Sequence, residues 1–451
     1  MTRFSWAAGA SWFAQREKRF RRLAIGLAGI VFIVQWVRAV GKLEDGDFFL
    51  HWKFANRFVQ QQLLYAEGLH VPYPPFWAMA WSPIAAFSLG VAKALAYPLS
   101  LAGLAVSLFV LDRLTRKHLP LDRTRAFWAA AVALALISRF LVRELPECGP
   151  NLLLLALSWL AVYGWVKGRD ILGGTCLGLA IAMKCTPGLF LVYFAWKRQW
   201  KMAATSAVAA AAFSLAPALW QGPASYAQHI EIWLTHVRLS AGQSDPSRGV
   251  LGEEELKNLS LRPAGARFLM RLPPKHLSRV EHPAYLEFLD LPPHMADRVV
   301  KLLLIALLGG AAWAFRRKVE ARDDLAIVWE CAAVSTLILL LSPITWAQHC
   351  VALLPAFYLL ARACLARGRF DGRIEAIVAA YAVANLLLNR GLIGRDFAML
   401  LASYHLPTFS FLGILAVLLA CAAKEARATA TSDAEATPFS RGAEILQRKA
   451  A

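Results

Sequence analysis

Apolar residues run along this chain in unbroken stretches of bilayer-crossing length, without the strict alternation that marks strands. A helical span needs about 20 mostly apolar residues. Stretches 22–40, 94–112, 125–143, 150–166, 202–220, 298–315, 325–342, 346–363, 373–390 and 406–423 meet that need closely enough to be read as helices. Stretch 171–196 is interrupted at Lys184-Cys185-Thr186-Pro187. A proline there breaks helical hydrogen bonding, so the pattern predicts two short helices, 171–183 and 186–196. Stretch 75–90 opens on Pro74-Pro75 and carries Pro83, which suits an interfacial or re-entrant piece better than a crossing. The pattern therefore predicts an all-α polytopic membrane protein of about 12 transmembrane helices.

The polar connections assign the sides. Basic residues crowd into cytoplasmic loops of membrane proteins. The N-terminal segment 1–21 carries Arg3, Arg16, Lys18, Arg19 and Arg21, so it is expected inside, with 22–40 as an uncleaved anchor. Loops 113–125, 167–169, 197–201, 316–322 and 362–373 are basic as well. Twelve crossings keep all of them, and both termini, in the cytoplasm. The outer side then receives 41–93, the turn 144–151 and the long loop 221–297, which prolines divide into short helical pieces. A catalytic membrane domain is expected over 22–423, and 424–451 reads as a disordered cytoplasmic tail.

Composition narrows the classes. Of 451 residues, 58% are hydrophobic and 18% are charged, against about 25% charged in soluble domains. That excludes a soluble enzyme, a secreted disulfide scaffold and a disordered regulator. The net charge of +19 is explained by the inner loops, so no nucleic-acid partner is expected. The seven cysteines lie in or beside apolar stretches without metal-type spacing. No essential cofactor is expected, and a divalent metal is left open.

Candidate chemistry gathers on the outer side. Residues 43–52 read Leu-Glu-Asp-Gly-Asp-Phe-Phe-Leu-His-Trp, and from Phe48 the apolar positions repeat at helical spacing. This suits an amphipathic helix lying in the interface. Asp47 stands at its start, where an N-cap is the simple reading; Asp45 and Glu44 are rivals for any chemical role. His51 follows on the same helix. Tyr73-Pro74-Pro75 is an extended aromatic entry, explicable as part of a belt at headgroup level. Lys184 is an ammonium in an apolar run, either functional or snorkelling. His349, in Ser342-Pro343-Ile344-Thr345-Trp346-Ala347-Gln348-His349, is either a satisfied core histidine or an anion donor. Arg262 and Arg267 belong to a short basic amphipathic stretch, suited to lipid phosphates or simply to a solvated face.

The side opposite the cytoplasm lacks nucleotide sugars, so a synthetic reaction there needs a donor activated on lipid. A polyprenyl-phosphate sugar leaves as a stable phosphate and needs no acid, only one carboxylate base and cations. The residues resemble glycosyltransferase family 87, polyprenyl-phosphate-dependent mannosyltransferases of GT-C-like fold. The resemblance runs over roughly 22–423. It rests on Asp47 and the aromatic helix with Leu64-Tyr65, Tyr73-Pro74-Pro75, Glu147 to Asn151, Lys184-x-x-Pro187, Asn258-x-Ser260 with Arg267, and Ser342-Pro343-x-x-Trp346. It implies that Asp47 is the general base, with Asp45 as second choice. Lys184, Arg262, Arg267 and His349 would then hold the donor phosphate. His51, Tyr73, Glu147, Asn151 and Trp346 would line the substrate pocket. The chain departs from the family pattern at Gly149-Pro150 and at Ala347-Gln348. The expected reaction moves a sugar, mannose by resemblance, to a glycolipid or glycan acceptor with inversion, in the cell membrane. The rival is a lipid or sugar-lipid transporter, which the absence of an internal repeat weakens; a lipid phosphotransferase is a third option.

Overall fold

The computed structural model describes residues 6–41, 46–65, 72–241, 244–250, 252–279, 284–368 and 371–449. Helix α1 (Trp6–Gly41) is followed by α2 (Asp47–Val59), α3 (Phe76–Trp81) with a 3-10 turn, and α4 (Leu89–Thr115). Next come α5 (Arg123–Leu136), α6 (Ser138–Glu144), α7 (Asn151–Val166), α8 (Asp170–Met183), α9 (Gly188–Trp196) and α10 (Trp200–Leu215). The long connection holds α11 (Pro217–Gln221), α12 (Pro223–Ala241), a two-residue ladder β1 (Arg248–Gly249) to β2 (Gly252–Glu253), and α13 (Leu261–Leu269). Then follow α14 (Pro293–Ala314), α15 (Leu325–Leu341), a 3-10 segment Ala347–Leu353 leading into α16 (Leu354–Arg367), and α17 (Gly372–Ala382) with a π-helical turn Val383–Leu387. Helices α18 (Arg390–Ile393), α19 (Arg395–Ser403) and α20 (Leu406–Lys449) end the chain.

The fold is thus an all-α membrane protein. Among the described residues, five helices are long and apolar enough to cross a bilayer, or six if α5 and α6, bent by 70°, count as one span. Helices α7, α8 and α15 are apolar but of 14 to 17 residues, roughly 21–26 Å at 1.5 Å per residue, against a hydrocarbon core of about 30 Å. Stretch 75–90 forms a six-residue helix and a 3-10 turn, too short to cross. The expected tail, 424–451, continues α20 as helix to Lys449, consistent with its alanine-rich sequence. The long loop holds one 19-residue helix, α12, beside its shorter pieces.

Small residues set how the bundle closes. At Gly174 a Cβ would lie 2.1 Å from Thr205 Oγ1 of α10, and at Gly173 one would lie 2.7 Å from the Ala161 carbonyl of α7. Helix α8 is therefore held at backbone contact between its neighbours, as small-residue stripes allow in membranes. This fixes where its C-terminal end, and Lys184, must stand.

Ion pairs join the other ends of the helices. Lys197 meets Glu330 at 2.9 Å, Arg322 meets Asp170 at 2.9 Å, and Arg362 meets Asp112 at 2.6 Å. Lys117–Asp323 and Arg367–Glu425 join them at 2.5 and 2.6 Å. Arg21 of α1 reaches Thr124 Oγ1 at 3.4 Å. The basic loops scattered through the sequence thus converge on one end of the bundle. Asn151, Lys184 and His349 sit at the opposite ends of their helices or of the segments leading into them, and Asp47 joins them through Gln348.

Candidate active site

The site begins at a glycine. Gly46 has φ 98°, a left-handed conformation that favours a residue without Cβ. It occupies the N-cap position of α2 and makes no side-chain cap bond. Asp47 is therefore the first helical residue and not the cap. Its backbone N–H donates to Glu147 Oε2 at 2.9 Å. Its own carboxylate turns away from the helix and accepts from Gln348 Nε2 at 2.7 Å through Oδ2. The capping role suggested by the position has been handed to Glu147, one hundred residues later. Burial holds the Asp47 pKa above the ordinary carboxylate range; Gln348 opposes this, nearby Glu147 adds to it, and Lys184 and Lys257 pull it down.

A second carboxylate builds the floor. Glu144 is fully buried and accepts from the Asn151 and Leu152 backbone N–H groups at 2.8 and 3.3 Å, and from Asn151 Nδ2 at 2.8 Å. It thereby supplies the acceptors that the first turn of α7 lacks. Gly149 makes room for it, since a Cβ there would lie 2.5 Å from Glu144 Oε2. With its amide nitrogen tied to Glu144, Asn151 presents Oδ1 to Lys184 Nζ at 3.2 Å.

Lys184 caps the C-terminal end of α8 in extended backbone, and its Nζ also lies 3.1 Å from His349 Nε2. An ammonium only donates, so Nε2 accepts from Lys184, and Nδ1 lies 3.2 Å from the Trp346 backbone nitrogen. The same Nδ1 stands 3.2 Å from the Ile344 carbonyl. The Trp346 and His349 rings stack at 6.0 Å. On its other side the Lys184 ammonium lies 5.7 Å from the Tyr73 ring centroid. Tyr73 stacks on Trp77 at 4.2 Å, and Trp77 Nε1 donates to His51 Nδ1 at 3.2 Å. Burial, reinforced by Lys184, pushes the His51 pKa down to about 3, so this imidazole is neutral and carries no charge for a phosphate.

The turn bearing Trp346, Gln348 and His349 is pinned by the long loop. Asn258 Oδ1 accepts from Thr345 N–H at 2.9 Å, and its Nδ2 donates to Glu254 Oε2 at 2.8 Å and to the Pro343 carbonyl at 3.0 Å. Two motifs distant in sequence, Asn258-x-Ser260 and Ser342-Pro343, are thereby one structural unit.

The structure brings Asp47, Glu147, Asn151, Lys184, Trp346 and His349 together, with Tyr73 and His51 stacked behind. It does not bring Arg262 or Arg267 to them. Arg262 donates to the Asp245 carbonyl at 3.0 Å. Arg267 is buried between the rings of Tyr285 (3.8 Å) and Tyr404 (4.6 Å), a cation–π arrangement inside the long-loop region. Asp45 and Glu44 lie outside the described residues. Asp47, Glu147, Trp346 and Gln348 open on a cavity of about 1070 Å³, above the ~300–1,000 Å³ of ordinary small-molecule pockets. Lys184, Asn151 and His349 line a second, narrower cleft with Leu154, Phe190 and Leu339.

Reading the sequence had not assigned roles to Gln348, Glu144, Arg139, Arg143, Lys257 or Arg390. Arg139 and Arg143, one turn apart at the outer end of an apolar stretch, carried the readable signal, because such residues inside spans are costly. Nothing local marked Gln348, whose partner is 301 positions away.

The model of glycosyltransferase family 87 matches residues 71–343. A polyprenol-phosphate-mannose-dependent alpha-(1-2)-phosphatidylinositol mannoside mannosyltransferase of Mycolicibacterium smegmatis is 31% identical over 386 residues, covering 78% of this chain and 77% of that protein. The protein of the same description from Mycobacterium tuberculosis is 27% identical over 305 residues, 64% of this chain and 62% of that one. No solved structure matches the chain significantly.

Proposed function

The chain belongs to glycosyltransferase family 87, and from that premise we propose that it transfers mannose from a polyprenyl-phosphate donor to a glycolipid hydroxyl on the non-cytoplasmic side. The relatives are described as acting on phosphatidylinositol mannoside, which makes a mannosylated lipid the acceptor to test first. In this reading Asp47 is the general base. Gln348 orients the carboxylate through Oδ2, leaving Oδ1 to take the proton. The acceptor oxygen attacks the anomeric carbon, the bond from that carbon to the phosphate oxygen breaks, and the configuration inverts in one displacement. The proton ends on Asp47 and the electron pair leaves on polyprenyl phosphate, which needs no protonating acid.

Lys184 is the cation for that phosphate. Asn151 Oδ1 and His349 Nε2 hold its ammonium without neutralising it, so the charge is preorganised where negative charge develops. Trp346 and Tyr73 supply apolar and stacking surface for sugar, and Glu147 supports the start of α2. The reading calls for no cofactor beyond the donor itself. It does not rely on Arg262 or Arg267 for phosphate. For topology the proposal is twelve crossings with both termini in the cytoplasm; the gathering of the basic loops at one end supports it.

One observation carries the proposal: a half-buried carboxylate with a raised pKa shares a site with an ammonium that has no acidic hydrogen-bond partner among the described residues. The test gives labelled polyprenyl-phosphate-mannose to membranes containing the wild type or Asp47→Asn at matched expression. Label passing to a lipid acceptor with the wild type alone supports both the reaction and the base. Equal transfer by both removes Asp47 as base and turns attention to Asp45. Donor binding without turnover in the wild type, followed by movement of donor across the membrane, would favour the transporter instead.

A further inference from the structure

The lining of the large cavity holds two unlike groups: Asp47, Glu147 and Gln348, and an arginine-bearing group of Arg139, Arg143, Asn385, Asn389 and Arg390. We propose that this arginine-bearing group is a subsite for the phosphate of the acceptor's lipid headgroup, an inference that rests on the glycosyltransfer reading above.

Arg139 and Arg143 are one turn apart on α6, a spacing at which like charges repel. Neither forms an ion pair among the described residues, and Arg143 makes no hydrogen bond there either. Of the cavity's three carboxylates, Asp47 accepts from Gln348 at 2.7 Å, Glu147 accepts from the Asp47 N–H at 2.9 Å, and Glu255 pairs with Lys257 at 2.8 Å. The arginine-bearing group is nevertheless held in place. Arg139 donates through an Nη to the Asn385 carbonyl at 3.2 Å. That carbonyl lies in the π-helical turn Val383–Leu387, a type of distortion frequent at functional sites. The Asn385 side chain is itself anchored to the Tyr381 carbonyl at 3.0 Å and to Ser410 Oγ at 2.9 Å. Arg390 follows directly, packed on Met399 Sδ at 2.8 Å.

A pair of guanidinium groups without acid partners, facing a roomy cavity of mixed polar and apolar lining, calls for an anion, and guanidinium geometry favours phosphate. The donor phosphate already has Lys184 on the other side of Asp47. The second anion therefore belongs to the acceptor, with its sugar hydroxyl at Asp47 and its phosphodiester at the arginines.

The experiment compares wild type, Arg143→Gln and Arg139→Gln with two acceptors, a phosphatidylinositol mannoside and an uncharged alkyl mannoside. Each variant is expected to raise KM for the phosphate-bearing acceptor about tenfold, the scale of a lost charge-assisted contact, while kcat, the donor KM and KM for the uncharged mannoside stay put. Inhibition by glycerophosphoinositol mannoside, and none by inorganic phosphate at equal concentration, would assign the site to the headgroup; equal inhibition by both would overturn that assignment. An equal rise for both acceptors, or a raised donor KM, would overturn the proposal. Absence of wild-type transfer to either acceptor would count against glycosyltransfer itself. Binding of phosphatidylinositol to the purified proteins would then still decide the arginine subsite, since unchanged affinity in Arg143→Gln refutes it.

Discussion

Replacing Asp47 by asparagine isolates its chemistry from its structural role. Gln348 Nε2 donates to Oδ2 at 2.7 Å, and the Asp47 backbone N–H donates to Glu147 at 2.9 Å. Both bonds survive the substitution, because asparagine keeps a carbonyl oxygen for Gln348 and an unchanged backbone. What disappears is the capacity to accept a proton. Positioned general bases contribute roughly 10²–10⁴-fold, so Asp47→Asn is expected to lower kcat by about that factor, with donor affinity within about twofold. The assay is label transfer under saturating donor, beside equilibrium donor binding.

The same change bears on stability and pH. Burial raises the folded pKa of Asp47 above its unfolded value. The stability this carboxyl contributes is therefore fully present below the unfolded pKa and is lost as pH rises through the folded one. Wherever the carboxyl is ionised, the wild type holds a half-buried anion that the variant lacks, so Asp47→Asn should leave Tm unchanged or raise it. Activity runs the other way: wild-type kcat falls as pH drops through the raised pKa, an acid limb above the ordinary carboxylate range. A kcat loss under tenfold with Tm intact would refute the base assignment. A large loss accompanied by a lowered Tm would show that the bonding argument is wrong.

Three further substitutions probe the surrounding shell. Lys184→Ala removes the ammonium that Asn151 and His349 hold and should weaken donor binding by tenfold or more; unchanged donor affinity would end its assignment to phosphate. Gln348→Glu replaces a donor that lowers the Asp47 pKa with a second carboxylate, so the acid limb of kcat should move to higher pH, and a limb that stays or falls would contradict the contact. Glu144→Ala leaves two backbone N–H groups and the Asn151 amide without their acceptor, a loss of about 1–3 kcal/mol for each buried group left unmet. A lowered Tm and a raised donor KM are expected together; a raised KM without a Tm change would mean that Asn151 is fixed by something other than Glu144.

Much of this arrangement was legible because hydrophobicity and charge act locally in sequence. The apolar stretches became helices, Pro187 split one of them beside Lys184, and the basic loops met at one end. The prolines before Phe76 kept that segment short. The number of crossings was harder to read, because helices such as α7 and α8 are shorter than a bilayer-crossing stretch and are held by close packing at glycines. The candidate site was legible only where a charge stood out against an apolar run. Lys184 did so; Asp47 was singled out among neighbouring carboxylates by the family resemblance, and Gln348 and Glu144 matter through partners in other helices.

Arg267 shows the limit most clearly. In sequence it is a cation on a short amphipathic stretch, as good a phosphate ligand as Lys184. In the fold its guanidinium is enclosed by Tyr285 and Tyr404, while Arg139, to which the sequence reading gave no role, faces the cavity. The difference lies in what each charge meets once buried. An aromatic face offsets part of the desolvation of Arg267 and keeps it structural, whereas a backbone carbonyl from a π-helical turn leaves Arg139 charged, oriented and in want of an anion. Charge identity can be read along a chain; whether a charge is spent on the fold or kept for a ligand is decided by partners that its sequence neighbours do not reveal.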